Sequence, residues 1–215
     1  IFLDIEGGLG GIDVESIPLK NSDYQKFIDV LKMIYEEDHK YETLVIDSLD
    51  WLERIVHQHV CKLKSVDSIG DLDWGRGYLV ALSIFEQIIN KLDKIREQKK
   101  MDIILIAHAA IMQVDNPGES SYTRWGIQMH YKTAAKIYQW SDACLFAYND
   151  VYVTKEAGSF GKTRVLAHGG DRVVRTVDQP THMAKNRMNL PDPMKLDYEE
   201  YHSYLDKIKN RRGDG

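Results

Sequence analysis

Between Ile1 and Tyr148 the chain alternates short apolar runs with longer stretches in which apolar residues return every three or four positions. That is the pattern of buried parallel strands joined by helices. The apolar runs are Ile1–Ile5, Thr43–Asp47, Asp102–Ala107 and Ala143–Tyr148, each of strand rather than helix length. Ser22-x-x-Gln25 has the form of a capping box, and Phe27, Leu31 and Ile34 follow at helical spacing toward Glu36. Further helices are expected from Ser48 to about Lys64, over Leu79–Gln98 and around Lys132–Trp140. Strand, helix and strand in this order imply right-handed parallel crossovers.

Two stretches break the period. Ser65–Tyr78 (SVDSIGDLDWGRGY) carries three glycines and a tryptophan and reads as a mobile loop. Ile111–His130 is polar, with Pro117, Gly118 and Gly126, and reads as another. Beyond Tyr148 the period shortens to two: Val151–Lys155, Thr163–Ala167, Arg172–Thr176 and His182–Lys185 are expected strands between glycine-rich turns, extending the sheet with antiparallel pairs. Asp197–Lys209 is a final amphipathic helix with Tyr198, Tyr201 and Leu205 at helical spacing. The Arg-Gly-Asp at Arg212–Asp214 is a chance match. The expected fold is α/β, a single domain over residues 1–215.

Composition narrows the function classes. A chain of 215 residues, 43% hydrophobic and 28% charged, is long enough to bury such a sheet. A net charge of −5 excludes a uniformly basic surface, so any nucleic-acid contact must come from a local patch. Cys61 and Cys144 lie far apart inside apolar patterns, which fits reduced thiols of a cytoplasmic protein better than a disulfide framework. No signal peptide is visible, and no apolar run approaches the roughly 18 residues of a membrane span, so no membrane role is expected. The chain begins at Ile1, inside a strand pattern, and is expected to be incomplete at its N-terminus.

The residues with chemistry stand where strands end, the place where open α/β sheets carry their sites. Asp47 closes TLVID and either holds the water shell of a magnesium ion beside nucleotide phosphates or, with Ser48, caps the next helix. Glu6 follows the first strand and is either a general base for an attacking water or an exposed turn residue. The glycines after it, Gly7, Gly8, Gly10 and Gly11, precede no Lys-Ser/Thr pair and read as a turn. His108 ends the third strand, as a γ-phosphate contact or a structural histidine. His57 and Cys61 share a helix face, but no further ligand has matching spacing. Trp74 and Arg76 in one loop, and Arg124, Trp125 and Lys132 in and after the other, interleave rings with cations as a single-strand platform would; loop anchoring is the rival reading.

Gly158-Ser-Phe-Gly161-Lys162-Thr163 imitates the end of a P-loop. The motif needs an opening glycine with four residues between it and Gly161, and that place holds Glu156; the segment also joins hairpin strands instead of strand and helix. No other Walker A sequence occurs. The order of strands ending in Glu6, Asp47 and His108 is what would follow such a unit, so a strand, P-loop and helix are expected upstream of Ile1.

FLDIEGG, TLVIDSLDW, ILIAHA and AKNRMNLP, in this order, resemble the RecA-like P-loop ATPases of phages, the branch of Sak-type single-strand annealing proteins with a RecA core. The resemblance implies a RecA-like P-loop NTPase fold lacking its Walker A segment in this chain, with ATP and Mg2+ as cofactors. By it, Glu6 is the catalytic glutamate, Asp47 with Ser48 the Walker B site and magnesium holder, and His108 the γ-phosphate sensor. Lys185 and Arg187 would be basic fingers reaching a neighbour's nucleotide. The implied function is ATP-dependent binding and annealing of single-stranded DNA in phage recombination or replication, in the cytoplasm of a bacterial host. The implied partners are single-stranded DNA, further copies in a homo-oligomer or filament, and a single-strand-binding protein. Two alternatives stand beside it: a RecA-fold assembly module blind to nucleotide, and a RecA-core helicase or helicase loader. In the implied strand order a P-loop strand separates Asp102–Ala107 from Ala143–Tyr148, so these two should not pair.

Overall fold

The computed structural model describes the backbone of residues 1–157 and 163–213 and the side chains of residues 1–151 and 169–207. Its elements are β1 (Phe2–Asp4), β2 (Ser16–Pro18), α1 (Tyr24–Glu36), β3 (Thr43–Asp47), α2 (Leu49–Lys64), α3 (Arg76–Gln98), β4 (Asp102–Ile106), β5 (Ala109–Val114) and β6 (Tyr122–Ile127). They continue as α4 (Tyr131–Trp140), β7 (Ala143–Cys144), β8 (Phe146–Ala157), β9 (Thr163–Arg175), β10 (Lys185–Asn186), β11 (Met194–Lys195) and α5 (Tyr198–Gly213). The chain groups into two compact units, Ile1–Ala110 with Ile127–Gln139, and Ile111–Gly126 with Trp140–Gly215.

The first unit is α/β, with a parallel four-stranded sheet in the order β2-β1-β3-β4. Leu3, Ile5, Leu44 and Ile46 are buried in it, and Phe27 and Leu31 of α1, Leu52 and Val56 of α2, and Phe85, Leu92 and Ile95 of α3 complete the core. Each such side chain contributes about 1.5–3 kcal/mol through burial. The helix expected from a capping box at Ser22 starts one residue later: Asp23 Oδ1 accepts the Lys26 amide at 2.9 Å. Both residues have an amide three positions on, and the carboxylate is the stronger acceptor. Strand β2 gave no sequence signal, because Pro18 breaks a three-residue pattern; it is tolerated at the sheet's edge, where its missing N–H is not needed.

Both expected loops prove to be structured. Ser65–Tyr78 contains two 3-10 turns, Ile69–Asp71 and Asp73–Gly75, and α3 already begins at Arg76. Ser68 and Asp71 close a capping box there, and Gly77 packs so tightly that a Cβ would lie 2.5 Å from the Ile69 carbonyl oxygen. Within Ile111–His130, β5 and β6 pair as a two-stranded ribbon. Positions in AAIMQV alternate between exposed and half-buried, whereas YTRWGI does not alternate regularly, and the polar residues 115–121 between them dominate the composition.

In the second unit the hairpins do not extend the parallel sheet; they form sheets of their own. Ala143–Tyr148, expected as a fourth parallel strand, divides into β7, antiparallel to β10, and the start of β8. Strands β8 and β9 are each one long strand where two short ones were expected, and β11 joins β9. His182 forms isolated bridges, and regular pairing there covers Lys185–Asn186. Among the described residues, β4 and Ala143–Tyr148 belong to separate sheets, so the expected single-sheet strand order with one strand between them is not reproduced. Most of the P-loop-like run, residues 158–162, lies outside the described residues, but the strands on either side of it are antiparallel neighbours. Val174, Leu190 and Met194 make a small core against Met188, Tyr201 and Tyr204, whereas Tyr198, expected on the packed helix face, is exposed.

Asp192 ties this core together by accepting the Thr176 amide at 2.7 Å and the Arg175 guanidinium at 2.9 Å. Burial alone would raise its pKa, but these donors outweigh burial and hold it below the usual range. A lowered carboxylate pKa gives stability that is present above the unfolded value and lost as pH falls through the folded one. Asp192→Ala, which strands the buried Thr176 amide, is expected to cost about 1–3 kcal/mol at neutral pH. In urea titrations the gap to wild type should close in acid.

Candidate functional site

In-register pairing sets Asp4 opposite Asp47, and Asp47 opposite Ile106, so the chain segments after β1, β3 and β4 leave the sheet at the same edge. Beyond β1, the amides of Ile5 and Glu6 both donate to the Asp47 carbonyl, at 2.7 and 3.2 Å, which keeps Glu6 beside the end of β3. Asp4 Oδ1 accepts the amides of Gly7 (2.6 Å) and Gly8 (3.1 Å). Gly7 has φ +82°, and a Cβ there would lie 2.4 Å from Lys20 Cδ. These glycines therefore serve a turn, and their amides are occupied by Asp4.

Ser48 begins α2 but makes no side-chain capping bond; its hydroxyl donates to Glu6 Oε2 at 3.3 Å. His108 is placed by Asp50. The Asp50 oxygens lie 3.1 and 3.2 Å from its Nδ1, and Oδ1 also accepts its backbone N–H at 3.3 Å. Nε2 of the same ring is 3.9 Å from Glu6 Oε2. Glu6, Asp47, Ser48 and His108 thus converge as the strand ends require.

The electrostatics follow from this crowding. Burial, then the neighbouring carboxylates of Glu6 and Asp4, raise the pKa of Asp47. Burial pushes Asp50 upward too, but hydrogen bonds from Ser48 and His108 prevail and hold it low. The bond to Asp50, against burial and with the charges of Asp50, Glu6 and Asp47, raises His108.

Asp50 and Glu53 were not evident from the sequence as site residues. Both carboxylates are buried. Glu53 accepts the His130 amide at 3.1 and 3.0 Å, and burial raises its pKa. The usable signal was Asp50, Glu53 and His57 at i, i+3 and i+7, an acidic stripe along a face of α2. His57, considered above with Cys61, instead sits 4.0 Å from Glu53 and edge-on to Tyr78, whose other contact is a stacked His130.

The remaining expected residues are spread over both units. In the first, Trp74 and Arg76 are exposed at the turn before α3, and Lys132, half-buried at the start of α4, lies 5.8 Å from the Tyr131 ring. In the second, Arg124 pairs with Asp178 at 3.2 Å and Trp125 stacks near Phe146. Lys185 donates to the Ser141 carbonyl at 2.6 Å, while Arg187 is exposed.

A family model described as an AAA domain matches residues 1–188. The chain belongs to this AAA-domain family. No curated protein and no solved structure matches it.

Membership in an AAA-domain family points to a nucleotide-binding ATPase, usually with Mg2+. The residues fit the cation. Asp47 and Glu6 bring two carboxylates to one edge, and burial first, then the charges of Glu6 and Asp4, raise the pKa of Asp47 against the opposing effect of His108. No group of three or more His, Cys, Asp or Glu among the described residues is arranged to hold a metal directly.

A raised carboxylate pKa gives stability that is present in acid and lost as pH rises through the folded value. Asp47→Asn removes that loss. The variant is expected to melt about 2–4 °C higher than wild type at mildly alkaline pH. Scans below the carboxylate range should show the difference disappearing.

Proposed function

We propose that this AAA-domain chain is a RecA-like ATPase that binds single-stranded DNA and acts in phage recombination or replication, as Sak-type annealing proteins do. The observation that carries the nucleotide half is the meeting of Glu6, Asp47 and His108 at one end of a parallel sheet. In this reading Asp47, with Ser48 beside it, holds the water shell of a magnesium ion. Glu6 accepts a proton from the attacking water, and His108 Nε2 donates to a terminal phosphate oxygen. Bound Mg2+ would supply neutralisation of phosphate charge.

Phosphates also need a cradle of amide donors. The outer edge of β4, the end strand of the sheet, is where a phosphate-binding strand would fit: Ile104 and Ile106 are 44% and 39% exposed on it. Trp74, Arg76, Arg124, Trp125 and Lys132 are the rings and cations assigned to single-stranded DNA, with Trp74 the most exposed aromatic among the described residues. Further copies of the chain in an oligomer or filament, a single-strand-binding protein and a cytoplasmic setting complete the reading. A helicase role would require unwinding activity instead of annealing. A nucleotide-blind assembly module is favoured by one observation, the Gly7 and Gly8 amides, which are committed to Asp4.

ATP hydrolysis by the full-length natural protein, with and without single-stranded DNA, separates these readings. DNA-stimulated hydrolysis that Asp47→Ala abolishes, with the circular dichroism spectrum retained, is the expected result. Hydrolysis absent from the wild type would favour the assembly module.

For the fingers acting on a neighbour's nucleotide, Arg187 is the freer group, because Lys185 is held by Ser141. Arg187→Ala is expected to lower DNA-stimulated turnover by about 10³-fold. Mixing Arg187→Ala with Asp47→Ala subunits should restore part of it, because some interfaces then pair an intact finger with an intact site.

A further inference from the structure

We infer that Asp50 is a positioning residue that fixes both the tautomer and the direction of His108; the inference rests on the reading of His108 as a phosphate contact. Three observations carry it. Asp50 lies in the first turn of α2, where an acidic residue commonly serves only the helix dipole. Here its carboxylate is instead spent on a residue 58 positions away, with Oδ1 accepting the His108 amide and both oxygens within 3.2 Å of Nδ1.

Second, an ionised carboxylate only accepts hydrogen bonds, so the ring nitrogen facing it must carry a proton. Nδ1–H is thereby specified, and Nε2 becomes the atom presented to the site, 3.9 Å from Glu6. Third, the His108 side chain is 52% exposed whereas that of Asp50 is 6% exposed. The buried partner holds the exposed one. The charged and titratable groups around the ring are Asp50 from α2, Glu6 from the turn after β1 and Asp47 from the end of β3.

The arrangement has a purpose in phosphate recognition. A neutral histidine free to choose its tautomer presents either a lone pair or an N–H to a phosphate oxygen, and the lone pair repels it. With the Nδ1 proton committed to Asp50, the neutral ring turns its Nε2 lone pair to water, and only the ring protonated at both nitrogens donates Nε2–H to a phosphate oxygen, so Asp50 makes the phosphate contact depend on the second proton. The same carboxylate supports that protonated form through its charge.

The test uses the full-length natural protein with 15N-labelled histidine. At alkaline pH, with the ring neutral, two-bond 1H–15N spectra should assign the His108 proton to Nδ1 in wild type. They should show the Nε2–H form as the main species in Asp50→Ala. Asp50→Asn, which keeps the shape and a hydrogen-bonding oxygen, covers the case in which the alanine variant fails to fold, and should retain Nδ1–H while losing the support for the charged ring. In hydrolysis assays both variants should lose about 10–100-fold in kcat with nucleotide KM little changed. An unchanged His108 tautomer in folded Asp50→Ala would overturn the inference, as would unchanged kcat in an active enzyme. If the spectra change as expected but the wild type hydrolyses nothing, the positioning role stands and the ATPase reading fails.

Discussion

Like charges repel, and the carboxyl end of this sheet gathers Asp4, Glu6, Asp47 and Asp50 within electrostatic reach of one another. Two unit charges about 4 Å apart at a protein surface oppose each other by about 4 kcal/mol at an effective dielectric constant of about 20, and repulsion weakens with distance, so hydrogen-bond donors placed at this edge are stabilising. Three of the four carboxylates meet donors, with Ser48 serving both Glu6 and Asp50. Asp4 takes two glycine amides, Glu6 the hydroxyl of Ser48, and Asp50 the ring and amide of His108. At Asp47, burial first and then the charges of Glu6 and Asp4 raise the pKa.

Helix α2 distributes that compensation. Its Asp50 grips the end of β4 through His108, and one turn later Glu53 grips the start of α4 through the His130 amide. The Gln128 amide donates to the His108 carbonyl at 2.9 Å, so the segment leading into α4 is fastened at two points to elements around the site. A displacement of His108 would be felt at Gln128 without passing through any flexible side chain. Tyr78, between His57 and His130, adds the start of α3 to the same assembly.

The parallel strands and helices of the first unit were legible because buried strands and amphipathic helices have different periods, and TLVID and DIILI are hard to read otherwise. Asp47, Glu6 and His108 followed from the rule that strand ends carry chemistry. Asp50 and Glu53 did not: an acid in the first turns of a helix looks like dipole compensation, and only the tertiary fold gives it a partner 58 or 77 residues away. The β5–β6 ribbon was obscured by turn-forming residues on its polar connection, and the hairpin sheets by the fact that strand pairing is non-local. A run such as Ala143–Tyr148 specifies extended backbone but not which neighbour completes it.

The turn before α3 has an optical consequence. Trp51 lies beneath the Arg54 guanidinium, 4.5 Å from its ring, and Trp125 stacks near Phe146. Trp74, in contrast, is 93% exposed, held outward by a backbone with φ 57°. An indole so fully in water fluoresces at long wavelength and is open to dissolved quenchers. Any surface that comes to rest on it, whether nucleobase or protein, would shift its emission to the blue and shield it, so the chain carries a native reporter of whatever it touches at that turn.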